Sequence, residues 1–375
     1  MGALRLFLIA GEPSGDRLGA ALMAGLKDLS PGVEFAGVGG PLMMAEGMTS
    51  LFPMEELSLM GLVEILPKYF DLMARIRQTA DAALASGAAA LITIDSPDFC
   101  LRVAKRVKAA RPQMRTIHYV APSVWAWRPG RAAKMAKEID HVLALLPFEP
   151  PYMTEAGMTC DFVGHPVVAE PLASEAEKAV FAGQGPLLLT LPGSRRSEVD
   201  RMVPLFGEVL ARLKASQPDL RVVLPTVAHV ADRVRALSVN WPVAPRIIED
   251  AALKRGAFAA ADAALAASGT VSLELAANAC PMVIAYDTNR LTFWLAQRLV
   301  KVDTVTLVNL VSETSAVPEF LGPEAQADKI APAVARLLVG NHAQSAAMDL
   351  TMERLGRGGE APGLRAARSV LAALA

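Results

Sequence analysis

Three cysteines in 375 residues, Cys100, Cys160 and Cys280, are too few and too widely spaced for a disulfide framework or a thiolate metal site. They fit reduced thiols in a core. Histidine is sparse too, and His118, His141, His165 and His229 show neither triad nor metal-ligand spacing, so they read as core or capping residues. No metal and no cofactor is expected. The 37 Lys and Arg balance 38 Asp and Glu for a formal net charge of -1, without the basic excess that a nucleic-acid partner demands. No uncharged apolar run approaches the roughly 20 residues of a membrane helix. The opening Met1–Ala10 lacks the small-residue cleavage pattern of a signal peptide and reads as a first buried strand. The turn after it lacks the Gly-x-Gly-x-x-Gly pattern of dinucleotide sites.

Apolar residues are plentiful. They make up 53% of the chain, with 16 methionines, which suits a protein with apolar surface to spare. A chain of this length outgrows one hydrophobic core, so two domains with a cleft between them are expected. Short apolar runs alternate with helical patterns, the mark of α/β architecture with a parallel, doubly wound sheet. Strands are expected at Arg5–Ala10, Val33–Val38, Ala89–Ile94, Thr116–Val120, Val142–Leu145 and about Cys160–Val163, with a helix from Asp16 to about Leu29. The pattern restarts at Leu187–Leu191, a helix over Glu198–Ser216, and strands at Arg221–Leu224, Ala263–Ala266 and Met282–Ala285. This predicts an N-terminal lobe over 1–166, a second lobe over 167–345, and C-terminal helices over 346–375 crossing back toward the first lobe.

The strongest chemical motif is Leu191-Pro192-Gly193-Ser194-Arg195-Arg196-Ser197-Glu198, a glycine-serine turn between a strand and a helix. Free N–H groups at a helix start favour an anion, and guanidiniums add charge-assisted bonds of roughly 1.5–3 kcal/mol each. A diphosphate fits there without a metal; an ordinary capped helix with solvated arginines fits equally well. A second turn, Ser268-Gly269-Thr270, begins a helix that places Glu274 one turn inside, on the face of Thr270. Two such turns with a carboxylate able to take ribose hydroxyls suggest a nucleoside diphosphate. A lone Ser-Gly-Thr turn is usually only a cap.

In the first lobe the opening turn holds Glu12 and Asp16, which would repel a pyrophosphate and suit hydroxyls. Asp95-Ser96-Pro97-Asp98 follows a strand, at the carboxyl edge where open α/β sheets place ligands. Asp95 is the natural general base; the competing reading is a cap for the helix after Pro97. His118 through Arg128 puts Trp125, Trp127 and Arg128 in one loop, suited either to an amphipathic anionic ligand or to packing. From Leu57 to Met73 the chain is apolar beyond what one helix face needs. An acyl chain gains about 0.8 kcal/mol per buried CH₂, so lipid contact competes here with simple helix packing.

Taken together, Ala10 through Asp16, Ile94 through Phe99, His118 through Arg128, Leu146-Pro147-Phe148-Glu149, Val163 through Pro166, Leu191 through Arg195 and Ser268 through Glu274 resemble the lipid-A-disaccharide synthases. The resemblance extends to about Pro318-Glu319-Phe320-Leu321. Ser-Val-Trp-Ala-Trp-Arg is its most specific string. It implies two Rossmann-like lobes facing a cleft, the GT-B type, and an inverting transfer from UDP-2,3-diacylglucosamine to 2,3-diacylglucosamine 1-phosphate. Asp95 would deprotonate the acceptor 6-hydroxyl. Gly193, Ser194, Arg195, Ser268, Gly269, Thr270, Glu274 and Asn309 would hold the UDP-sugar. Glu12, Ser14, Gly15, Asp16, Asp98, Trp125 and Arg128 would border the acceptor, and Leu59, Met60, Leu62, Val63, Leu66 and Phe70 would meet acyl chains or membrane. The expected location is peripheral, on the inner face of a Gram-negative inner membrane, with a homodimer allowed. Gly322 and Ser312–Ser315 depart from the family pattern, so a glutamine role at that point is not carried over. A peptidoglycan-type GT-B transferase, a UDP-sugar epimerase and a non-enzymatic nucleotide-binding protein are the competing readings.

Overall fold

In the computed structural model, which describes residues 3–57, 62–125, 130–267, 269–287, 302–340 and 343–375 (62–69 as backbone alone), the first apolar run forms strand β1 (Arg5–Ala10). Leu6, Leu8 and Ala10 enter one core and Phe7 and Ile9 another, so helices must cover both faces of the strand. They do. After β1 come α1 (Pro13–Leu29), β2 (Glu34–Val38), α2 (Pro41–Ala45), β3 (Thr49–Ser50), α3 (Leu62–Ala85), β4 (Ala90–Ile94) and α4 (Pro97–Ala110). Then follow β5 (Arg115–Tyr119), α5 (Gly130–Met135), β6 (His141–Ala144), α6 (Pro150–Glu155) and β7 (Thr159–Phe162). The strands pair in parallel in the order β3-β2-β1-β4-β5-β6-β7.

A second parallel sheet takes its strands from β8 (Leu187–Leu191), β9 (Arg221–Pro225), β10 (Arg246–Ile248), β11 (Ala263–Ala266), β12 (Met282–Tyr286) and β13 (Glu319–Leu321). Their order is β10-β9-β8-β11-β12-β13. The helices of this part include α7 (Glu175–Ala179), α8 (Arg196–Ser216), α9 (Ala228–Ser238), α10 (Ala251–Ala260), α11 (Val271–Ala277), α12 (Leu307–Ser312), α13 (Ala327–Leu338) and α14 (Ser345–Arg354). Leu188, Leu224, Leu265 and Val283 of the sheet pack on Val203, Phe206 and Leu210 of α8 and on Ile330 and Val334 of α13. Both sheets are doubly wound and Rossmann-like. Each reverses its winding at one place, between β1 and β4 in the first and between β8 and β11 in the second.

The chain divides into two compact units, Met1–Ala169 with Gly358–Ala375, and Glu170–Arg357. The return to the first unit therefore begins at Gly358, not at residue 346. α14 stays with the second unit because Thr351 and Arg354 donate to the carbonyls of Val308 (3.2 Å) and Val311 (2.7 Å). Only the last helix, α15 (Pro362–Leu374), joins the first core, where Ala366, Ala367 and Val370 pack with Leu22 and Leu26 of α1. Gly363 allows this close crossing, since a Cβ there would lie 2.5 Å from the Ala21 carbonyl oxygen. Polar bonds fix its register: Ser369 Oγ donates to Asp161 at 2.7 Å and meets His141 Nε2 at 2.8 Å, and Arg365 donates to the Phe162 carbonyl at 2.7 Å. The three cysteines are free thiols.

Candidate active site

In the first unit the pairing of Ala10 with Ile94 brings the turn after β1 beside the turn after β4. Such a switch point leaves a crevice at the carboxyl edge of the sheet. Asp95 and Ser96 both take left-handed backbone conformations, φ 52° and 43°, which cost non-glycine residues energy and recur at functional sites. Nor do they cap α4: Ser96 occupies the N-cap position without a side-chain cap bond, and its buried Oγ has no partner. Capping therefore does not account for Asp95. Burial raises its carboxyl above the usual carboxylate range, opposed by the Ser96 N–H that it accepts. Cys100 lies beneath, its thiol pushed up by burial and then by the charges of Asp95 and Glu12, so both carboxylates act on one spot.

The other residues expected at the acceptor divide. Ser14 is exposed and Glu12 half-buried at the start of α1, but Gly15 is buried against Ala10 and Ile94 as packing. Asp16 is a correction. It is only 3% exposed, and its carboxylate accepts from Gly40 and Met43 on Oδ1 and from Leu42 on Oδ2 at 2.9–3.0 Å. It caps α2, whose first N–H groups have no partner within the helix, and is not open to a ligand. Asp98 is exposed on the first turn of α4, beside a cavity that Arg131 and Lys134 also line.

Trp125 packs edge-on to Phe148 at 5.2 Å, and its indole N–H donates to Glu149 at 3.4 Å, which is the packing reading. Arg128 lies outside the described residues, as do Leu59, Met60 and Ser268, and the side chains of Leu62, Val63 and Leu66. Glu149 was not singled out by its chemistry. Its carboxylate gathers the N–H groups of Leu145 and Leu146 at 3.1 and 2.9 Å, and burial pushes its pKa up from 4.5 to about 7. The folded chain thus holds this proton more tightly, giving stability that is present below pH 4.5 and lost as pH rises through about 7. Thermal melts at pH 5 and 8 should show a larger fall in midpoint for the native chain than for Glu149→Gln; equal falls would remove Glu149 as the cause.

In the second unit Leu191 pairs with Ala266, which sets the Gly193 turn beside the turn after β11. A cavity of about 430 Å³ opens there, lined by Gly193, Ser194, Arg195, Gly269, Thr270 and Glu274, so six of the eight residues expected at the sugar nucleotide converge. Gly193 has φ 101°, and a Cβ on it would collide with the Glu198 carboxylate. Glu198 accepts from the Ser194 and Arg195 N–H groups, both at 3.2 Å, and pairs with the Arg195 guanidinium at 2.9 Å. The capped-helix reading is thus realised with the very donors an anion would use.

Two features of the cavity and its turn escaped the sequence. Lys254 of α10 reaches Glu274 at 2.5 Å and adds a cation, and His229 in the first turn of α9 donates to the Ser194 carbonyl at 2.8 Å, bracing the turn. Asn309 is a second correction. It is 3% exposed and staples the loop before β13, accepting from the Val317 N–H and donating to the Val317 carbonyl, both at 2.9 Å. His118 and His165 are structural: burial lowers both to about 4, with His118 Nδ1 2.7 Å from Thr93 Oγ1 and His165 accepting from the Val167 N–H.

A profile of the lipid-A-disaccharide synthetases matches residues 6–368. The chain belongs to that family. It is 62% identical to the lipid-A-disaccharide synthase of Ruegeria pomeroyi, covering 98% of this chain and 95% of that one, and 49% identical to that of Rhodospirillum centenum, covering 99% and 95%. It is a glycosyltransferase of lipid A synthesis. Among solved structures it resembles the UDP-GlcNAc 2-epimerase of Neisseria meningitidis bound to UDP-GlcNAc (TM-score 0.62, 11% identity, 99% of both chains). It also resembles CalG4, the calicheamicin glycosyltransferase (TM-score 0.58, 17% identity, 100% and 99%). Those two likenesses place the two-lobed fold alone. Family membership sets aside the epimerase and the non-enzymatic readings.

Proposed function

We propose that this enzyme condenses UDP-2,3-diacylglucosamine with 2,3-diacylglucosamine 1-phosphate, giving the β-1,6-linked disaccharide 1-phosphate and UDP. The observation that carries this is the pairing of a nearly chain-long family match with a strained, uncapped Asp95 at the carboxyl edge of the first sheet. Asp95 takes the proton of the acceptor 6-hydroxyl, whose oxygen bonds to the anomeric carbon as the bond to UDP breaks on the opposite face. A carboxyl raised by burial is a stronger base than an exposed one, which favours this role. The leaving diphosphate falls to the Gly193 turn, Arg195 and Lys254, and Glu274 takes the ribose hydroxyls.

Glu198 accepts from the turn's donors, so UDP must share or displace it. Removing its charge with Glu198→Gln is expected to tighten UDP binding roughly three- to tenfold in a calorimetric titration. Weaker binding by the variant would mean that the carboxylate shapes the turn instead of competing for it.

Membrane contact on the inner face fits Phe70 on α3, 82% exposed, and the exposed Leu42 and Met44 of α2. Among the described residues no helix is long and apolar enough to cross a membrane. The reaction is tested by incubating the enzyme with both lipid substrates in EDTA and following UDP and the disaccharide by mass spectrometry. Disaccharide at a rate matched to UDP release supports it. UDP bound with no disaccharide formed overturns it.

A further inference from the structure

A separate cavity in the first unit, about 480 Å³, lies between the first turns of α4 and helix α5, on the same carboxyl edge as Asp95. Its chemistry is mixed. Pro97, Leu101, Pro122 and Met135 give it apolar walls, while Asp98, Arg131 and Lys134 give it three charged groups. Arg131 and Lys134 are three residues apart on one helix and so share a face. Among the described residues neither makes an ion pair or a side-chain hydrogen bond, whereas Arg75 and Lys108 of the same unit are both paired. A cavity with two uncommitted cations has room for a dianion, and Asp98 can accept from a hydroxyl beside it.

We infer that this cavity is the subsite for the phosphate of a glycosyl phosphate acceptor, with Arg131 and Lys134 on the phosphate and Asp98 on a sugar hydroxyl. The inference rests on the proposed reaction. Asp98, in the first turn of α4, follows Asp95 by three residues across the left-handed pair, so a sugar whose 6-hydroxyl meets Asp95 can extend its opposite, anomeric end along α4 toward the two cations. The apolar walls suit the methylene groups nearest an acylated ring. These cations would then select phosphorylated over free acceptor and leave the donor unread.

The test compares steady-state kinetics of the native enzyme, Arg131→Ala/Lys134→Ala and the charge-retaining Arg131→Lys/Lys134→Arg. Acceptors with and without the anomeric phosphate are used at saturating donor. The alanine pair should raise KM for the phosphorylated acceptor at least tenfold, leave the unphosphorylated acceptor and the donor KM within twofold, and be largely rescued by the charge-retaining pair. An unchanged preference for the phosphorylated acceptor in the alanine pair overturns the inference. So does a variant that loses flotation with phosphatidylglycerol vesicles while keeping its acceptor preference, because the cations then serve a lipid headgroup. If the native enzyme makes disaccharide from neither acceptor, it is the proposed reaction that has failed.

Discussion

Asp95→Asn is expected to lower kcat for disaccharide formation by about 10²–10⁴-fold, the range over which a positioned general base acts, while UDP affinity changes less than twofold. Asparagine keeps the shape and can still accept from the Ser96 N–H, so the left-handed pair at 95 and 96 has no steric reason to rearrange. Only the capacity to take a proton is lost. Because burial raises the Asp95 carboxyl, the acidic limb of the native kcat profile should sit above the ordinary carboxylate range and vanish in the variant. Activity of the variant within tenfold of the native enzyme would assign the base elsewhere.

Asp16→Ala is expected to cost stability and not chemistry. Three backbone N–H groups at the start of α2 end on this one buried carboxylate, and each unsatisfied group costs about 1–3 kcal/mol. Partial hydration of the exposed start of α2 brings the expected loss to about 3–5 kcal/mol, seen as a lowered midpoint in urea unfolding. Asp16→Asn, which keeps one acceptor oxygen, should lose less. UDP titration should be unaltered, since the cavity proposed for it lies wholly in the other unit. A stable Asp16→Ala enzyme with weakened acceptor binding would restore Asp16 to the substrate.

Much of the fold was legible because a buried parallel strand is a short apolar run ending at a turn: Leu187–Leu191 and Ala263–Ala266 are found where the sequence places them. Of the four edge strands, all but β7 gave no such sign. Thr49–Ser50, Arg246–Ile248 and Glu319–Leu321 are two or three residues long and have no run to read. The Gly193 and Thr270 turns were legible as a pair, and strand adjacency explains why they meet. Lys254 and His229 were not, since each stands on an ordinary helix and meets the cavity, or the Ser194 turn beside it, only through the order of the strands. Asn309 was implied only by the resemblance, whereas Asp16 was misplaced for a physical reason. A polar residue near a turn looks the same whether it faces a ligand or serves backbone far along the chain, and the Gly40 N–H that claims Asp16 lies 24 residues away.

The place of α15 has a consequence for the order in which the protein is made. The α1 face that receives Ala366, Ala367 and Val370 emerges from the ribosome early, but its cover is encoded after the whole of Glu170–Arg357. The first unit must therefore wait, apolar face open, while the second is synthesised and folds. A chain truncated after Arg357 should hold a second unit that resists protease while α1 is still cut. Emergence of α15 is then the event that closes the first unit, so a premature stop near residue 358 should disable the proposed base, Asp95, without touching any residue around it.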